Sequence, residues 1–478
     1  MPNLIFSNVI WGYLVRAIPQ IHGVWGYSIA TMGVIIIVGA VFLRALRKLS
    51  LGWMLSLSVV FLLLARPVLF PQFTINAGLL TLGAVVCWHL YGKQESRRAL
   101  AIGCLLGFCG YLVRSQEFLL VLLIALPLLP WNKLLKDRAT QFSAFALLLA
   151  VGVAAFVDYK SYQGDTWQAF RELNFARASI TDFGYAEELK KNPEILSRHG
   201  YTPNDINLIG TWFFVDENIA NPQRLNAMLR ELVITPSRSH HINNGWIALQ
   251  TFFHPFLKPA FYSALFLFLL FPSRKLVVVW CLCFAAFFLL GVAGRPGILH
   301  VYIPVISFLV ISPLLTLRTW AGTRRWLTLV AIVLAAFFNT TAVFSQSRAA
   351  QSASLQARQD LLGFPEQTVV SWGSVFPYEA AYPVLGSKEN REFSIYALGT
   401  FTLAPFSVAH AEKMIGRGMV ERLLSSSGVP ILANKGHFSL LSTYCDEHHG
   451  GVLLELASKK YGRRHLSWCK CEAKEGQR

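Results

Sequence analysis

The sequence predicts an α-helical polytopic membrane protein of about ten transmembrane helices, with a helical extracytoplasmic insertion and a small C-terminal α/β soluble domain. Three observations carry this. Hydrophobic residues make up 54% of the chain and charged residues 14%, with a mean hydropathy of +0.46, where soluble domains carry about a quarter charged residues. Apolar runs recur near the ~20 residues that a bilayer crossing needs. The short loops between these runs alternate between basic and nearly uncharged, the pattern by which Lys and Arg set membrane orientation.

Residues 1–26 form an interfacial segment, because Phe6, Trp11, Tyr13 and Trp25 are rings suited to the headgroup layer. Six spans follow within 27–158, near 27–44, 52–71, 74–91, 98–113, 117–131 and 140–158; four more fill 259–345, near 259–273, 276–293, 298–316 and 326–345. All are helical, since lipid leaves an open chain no other way to pair its backbone groups. The odd-numbered loops hold Arg44, Arg47 and Lys48; Lys93, Arg97 and Arg98; Lys133, Lys136 and Arg138; Arg274 and Lys275; and Arg318, Arg324 and Arg325. The even short loops hold Arg66, Arg114 and Arg295. Basic loops stay cytoplasmic, so the chain is expected in the inner (cytoplasmic) membrane of a cell. The N-terminus, the stretch 159–258 and the C-terminal 346–478 then lie outside. An outside N-terminus without a signal segment leads us to expect a further helix upstream of residue 1; the alternative is a short, weakly charged N-terminus that crosses unaided. The net charge of +17 sits in these loops, where it sets topology, and no nucleic-acid partner is expected.

The insertion 159–258 is too long for an ordinary loop. In "TPNDINLI", Thr202 or Asn204 caps a helix with Pro203 in its first turn. "NPQRLNAMLREL" places Leu225, Met228, Leu229 and Leu232 on one helical stripe. In 346–478, "TVVSWG" and "VPILA" read as buried strands, "AEKMIGRGMVERLLSSSG" as a helix ended by Gly428, and "GVLLELASKKYGRRHLSWCKC" as a hairpin turning near Gly462. Five cysteines lie in spans as small apolar groups. Outside them, Cys445 can pair with Cys469 or Cys471 in an oxidising compartment. Zinc held by "CDEHH" and "CKC" is the alternative, although the spacing matches no common structural site.

Charges near membrane depth point to function. Arg66, Arg114, Arg295, His300 and Tyr302 fall at the outer ends of their spans, at one level, and guanidinium groups gathered there suit a phosphate or pyrophosphate headgroup. Glu117 follows Arg114 at helical i, i+3 spacing. Glu117, Asp158 and Asp205 are the candidate catalytic acids, with Asp182 and Asp216 behind them; a loop Asp also serves to cap a helix. There is no P-loop, dinucleotide fingerprint, HExxH or internal repeat.

The segments "FSNVIWGYLVRAIPQIHGVWGYS", "GYLVRSQEF", "GYTPNDINLIGTWFFVDENI" and "GRPGILHVYIP" resemble polytopic proteins of bacterial surface-polysaccharide loci and, more distantly, the GT-C superfamily of membrane glycosyltransferases. The resemblance covers about residues 1–345 through short patches. It implies transfer of a sugar from a polyprenyl-phosphate carrier to a glycan or lipid acceptor on the outer face, with a divalent cation (Mg or Mn) as an optional cofactor. In that superfamily an essential acid sits in the outer loop after the first helix; residues 1–28 resemble the end of that loop, without the acid. A polysaccharide polymerase or ligase, and a non-enzymatic scaffold or flippase-like protein, are the competing readings.

Overall fold

The computed structural model describes residues 2–22, 24–232, 238–316, 322–385, 393–462 and 464–474. In chain order, α1 (Val9–Ala17), α2 (Gly26–Lys48), α3 (Trp53–Leu69), α4 (Phe73–Gln94), α5 (Arg97–Val113), α6 (Ser115–Ala125), α7 (Trp131–Lys136) and α8 (Arg138–Ser161) come first. The insertion holds α9 (Asp165–Thr181), α10 (Tyr185–Lys190), α11 (Pro193–Arg198), α12 (Pro203–Gly210) and α13 (Pro222–Glu231). Then come α14 (Arg238–Gln250), α15 (Lys258–Leu270), α16 (Arg274–Val292), α17 (Leu299–Thr316) and α18 (Gly322–Asp360). The C-terminal part is β1 (Val369–Trp372), α19 (Tyr378–Ala381), β2 (Ile395–Leu398), α20 (Val408–Met414), α21 (Met419–Leu423), β3 (Val429–Leu432), α22 (Lys435–His449), β4 (Gly451–Tyr461) and β5 (Arg464–Ala473). The chain divides into a membrane unit, Pro2–Ser161 with Ser237–Ala350, and a polar unit, Tyr162–Pro236 with Gln351–Arg478.

Every expected span is helical, but the count of ten is not reached on length. Among the described residues, six helices (α2, α4, α8, α16, α17 and α18) are long and apolar enough to cross a membrane. A seventh arises if His241–Phe253 and Lys258–Leu270, bent by 90°, make one broken span. Both α3 and α5 have 17 residues, and α6 has 11. The apolar run 117–131 falls short because Pro127 and Pro130 end its helix in a 3-10 turn.

In the membrane unit α4 is enclosed nearly throughout, from Thr74 to Cys87. Small residues allow this close approach, since no hydrophobic drive separates helix from lipid. A Cβ on Gly78 would meet Pro304 of α17 at 2.4 Å, and one on Gly110 of α5 would meet Thr81 Oγ1 at 2.7 Å. Pro313 interrupts α17 and cannot donate to the Leu309 carbonyl; the Ser312 hydroxyl donates to it instead, at 3.2 Å.

The basic loops gather at one end of this unit. Gln94 donates to the Lys48 carbonyl, Lys93 donates to the Leu315 carbonyl at 2.6 Å, and Lys133 pairs with Glu95. Arg325 lies near Gly52. Arg318 lies outside the described residues. At the other end, Asn8 Nδ2 donates to the Ala154 carbonyl at 2.9 Å, the Asn8 amide to the Leu112 carbonyl, and Phe6 stacks on Phe73. The alternation of charge along the sequence therefore appears in space as two chemically distinct ends.

In the polar unit, the sheet runs β2-β1-β3-β5-β4, with β2, β1 and β3 parallel and β3, β5 and β4 antiparallel. The sequence reading sets the insertion and the C-terminal part apart as two domains; here they share one core. Phe213 of the insertion packs 5.2 Å from the Trp372 ring and 5.1 Å from Tyr444, and Trp372 Nε1 donates to the Thr211 carbonyl at 2.7 Å. Helices of six to 17 residues cannot enclose a core alone. The insertion is also shorter than the expected 159–258. Residues 238–253 belong to the membrane unit, where Gly291 lets α16 approach α14 so closely that a Cβ there would sit 2.4 Å from the Asn244 carbonyl.

Local structure follows the sequence closely in places. Thr202, not Asn204, caps α12 in a reciprocal capping box with Asp205. Leu225 and Met228 of α13 are buried, and the hairpin turns at Gly462 (φ 59°). The helix expected over 411–428 breaks instead into α20 and α21, because Gly416 adopts a left-handed φ of 65°.

Candidate active site in the membrane unit

The site begins with one backbone break. The helix of α5 ends at Val113, Arg114 is extended (φ −162°, ψ 106°), and α6 begins at Ser115. The break loses little hydrogen bonding: the Arg114 amide donates to the Gly110 carbonyl, and the Phe118 amide to that of Arg114. One extended residue thus re-aims the chain at the non-basic end of the unit. It sends the Arg114 guanidinium over the rings of Phe73 (5.1 Å) and Phe6 (5.6 Å). It also turns Glu117, in the first turn of α6, inward.

Glu117 is 3% exposed, and its Oε1 has no hydrogen-bond partner. It sits against Gly78 of α4, where a Cβ would lie 3.1 Å from Oε1. Burying a carboxylate without a hydrogen bond is costly, and intramembrane acids are retained chiefly where they act. The surrounding charge is cationic: Arg114 interacts electrostatically with Glu117, Arg295 and His300. Arg295 is exposed in the turn between α16 and α17, where Gly294 (φ 88°) and Gly297 (φ 78°) make the bend, and His300 opens α17. Three of the expected site residues, Glu117, Arg295 and His300, therefore lie within electrostatic reach of a fourth, Arg114.

The others serve different ends. Asp158 of α8 accepts the Val9 amide at 2.7 Å, anchoring the start of α1. Arg66 donates to Gln346 Oε1 at 2.9 Å and lies 4.1 Å over the Phe256 ring. Tyr302 is 2% exposed, stacks on Phe287 at 4.0 Å and donates to the Ala248 carbonyl at 2.8 Å, which places it in the core. Gly78 and the Phe6–Phe73 pair escaped the sequence reading. Nothing marks Gly78 among 34 glycines before its neighbours on α17 and α6 are known.

Asp205 belongs to the polar unit. Its Oδ2 accepts the Thr202 amide at 2.9 Å, and its Oδ1 accepts His448 Nε2 at 2.8 Å. The Thr202 hydroxyl donates to Glu447 at 2.9 Å. Beside it, Tyr444 donates to Asp216 at 2.6 Å, and His449 Nε2 donates to the Tyr444 oxygen at 3.1 Å. Asp182 lies 3.5 Å from the Arg177 guanidinium.

Asp205, Glu447 and His448 present ligand atoms within 4.8 Å of one another, yet the set fits a divalent cation poorly. The Asp205 and Glu447 contacts named above are hydrogen bonds already made, and the bond to Asp205 raises the pKa of His448, favouring the imidazolium that cannot ligate. The zinc alternative fails for a different reason. Cys445 is bonded to Cys471, while Cys469 is a buried thiol whose pKa burial pushes up to about 12. The disulfide forms across α22 and β5, and the "CDEHH" histidines are spent on Asp205 and Tyr444.

No protein-family model, curated protein or solved structure matches this chain.

Proposed function

We propose that this chain is a membrane glycosyltransferase that moves a sugar from a polyprenyl-phosphate carrier to a cell-surface glycan or lipid on the outer face of the inner membrane. The observation that supports it is the buried Glu117 carboxylate, unpartnered at Oε1, beside Arg114 with Arg295 and His300 in electrostatic reach. The gathering of Lys93, Lys133 and Lys48 at the opposite end favours an outward-facing site.

The chemistry asks for little more. Glu117 takes the proton of the acceptor hydroxyl as that oxygen attacks the anomeric carbon. The bond from that carbon to the phosphate oxygen breaks, and polyprenyl phosphate departs with the electron pair. Arg114 and Arg295 stabilise the charge it carries away. Arg114 is held over two rings before substrate arrives, so its position requires little reorganisation.

The test is incubation of the purified chain in proteoliposomes with labelled polyprenyl-phosphate sugar and an acceptor extract. Polyprenyl phosphate should be released. Arg114→Ala and Arg295→Ala should each slow release by about 10²–10³, the range for removing one preorganised charge donor. Full activity in both variants would remove the phosphate site from the account.

A further inference from the structure

A second feature lies at the basic end of the membrane unit and is independent of sugar transfer. A cavity of about 350 Å³ opens among α4, α5, α7 and α8, lined by Trp88, Leu100, Cys104, Trp131, Leu147 and Leu148. Its wall is entirely apolar. The polar tips of its lining residues are turned to protein partners: Tyr91 and Thr140 donate their hydroxyls to the Asp137 carboxylate at 2.5 and 2.6 Å, Trp131 Nε1 donates to the Leu126 carbonyl, and Trp88 is hydrogen-bonded to Cys104. Water has nothing to bond there, and such a space favours hydrocarbon over water. Its size is at the low end for ligand sites, which suits a stretch of chain rather than a whole molecule.

The chain flanking the cavity has the opposite character. Residues 95–98 and 131–138, which lead into the lining residues Leu100, Trp131, Leu134 and Thr140, carry five cations (Arg97, Arg98, Lys133, Lys136 and Arg138) against two acids, Glu95 and Asp137. Both acids are engaged, Glu95 by Lys133 and Asp137 by Tyr91 and Thr140. Arg97, Arg98, Lys136 and Arg138 are exposed. Trp131 is fixed at the mouth by its Nε1 bond to the Leu126 carbonyl at 2.8 Å, with its ring where indoles settle in a membrane interface.

We infer that this cavity is a binding site for an anionic glycerophospholipid of the bilayer, one acyl chain filling the apolar space while Lys136 and Arg138 hold the headgroup phosphate. Dry wall and cationic flank each select one half of that molecule.

Native mass spectrometry of the full chain, released from detergent with phosphatidylglycerol or phosphatidylcholine added in equal amounts, tests this. The chain should retain one phosphatidylglycerol in preference to phosphatidylcholine. Ala144→Trp, which fills the cavity from α8, should lose the retained lipid. The double variant Lys136→Gln, Arg138→Gln should keep a lipid but lose the preference, by about fivefold for each cation removed. Equal retention of the two lipids by the unmodified chain, or unchanged retention by Ala144→Trp, overturns the assignment.

Discussion

Glu117 and His448 are both ionisable side chains placed with care, but they do opposite work. Glu117 is buried with an oxygen left unpaired, a cost that the charge of Arg114 offsets in part, without a hydrogen bond. His448 is spent on structure: it donates to Asp205, which is itself wholly buried and caps α12. That bond raises the folded-state pKa of His448 above its ordinary 6.5, with smaller help from Asp216 and Glu447. The stabilisation is therefore fully present below pH 6.5 and is lost as pH rises through the raised folded value. Thermal unfolding of the chain and of His448→Gln should differ most at acidic pH, below the ordinary histidine value, and the gap should narrow as pH rises; a gap that widens towards alkaline pH would refute the pairing. The Cys445–Cys471 bond closes a loop spanning 26 positions. Replacing both residues by Ser should cost about 3.5 kcal/mol on the chain-entropy model, read as a lower urea midpoint, and a midpoint that does not move would mean the bridge adds nothing.

At the scale of elements, the site depends on how closely α17 and α6 approach α4. Gly78 is the contact that permits it, since any Cβ would press on Pro304 and crowd Glu117. Gly78→Val should therefore lower thermal stability by about 1–3 kcal/mol, the usual cost of overpacking, and reduce transfer activity as Glu117 is displaced. A substitution that lowers stability and leaves activity whole would separate Glu117 from the reaction. Element by element, the sequence was readable where the signal is local. The Thr202 capping box, the Leu225–Met228 stripe and the Gly462 turn each need only neighbouring residues to form. Legibility failed where a partner far along the chain decides. Tyr302 shares its span end with Arg295, but Phe287 and the Ala248 carbonyl claim it for the core. Asp158 carries an acid at the right depth and gives it to the Val9 amide. The helix expected over 411–428 was lost to a single glycine conformation at Gly416.

For the whole molecule, hydropathy identified the apolar helices and loop charge sorted their ends, because both are dictated by the bilayer rather than by tertiary detail. The number of full spans was less legible, since apolar runs do not show where a helix bends or stops short, as at 253–258 and after Ala125. The joining of the insertion and the C-terminal part into one polar unit was not legible at all: Phe213, Trp372 and Tyr444 meet across more than 150 residues of sequence. Of the site, the nearness of Arg114 and Glu117 in sequence was visible, but not as a helical i, i+3 pair, since Arg114 is extended at the helix break; the burial that distinguishes Glu117 from an ordinary surface acid required α4 and α17 to be in place. The proposed transfer depends most directly on that one carboxylate. The deciding measurement is single-turnover release of polyprenyl phosphate from a labelled donor by the unmodified chain and by Glu117→Gln, with donor binding measured on the same samples. We expect Glu117→Gln to bind the donor as before and release product about 10²–10⁴ more slowly; equal rates, or no release from the unmodified chain, would contradict the assignment of Glu117 as the base.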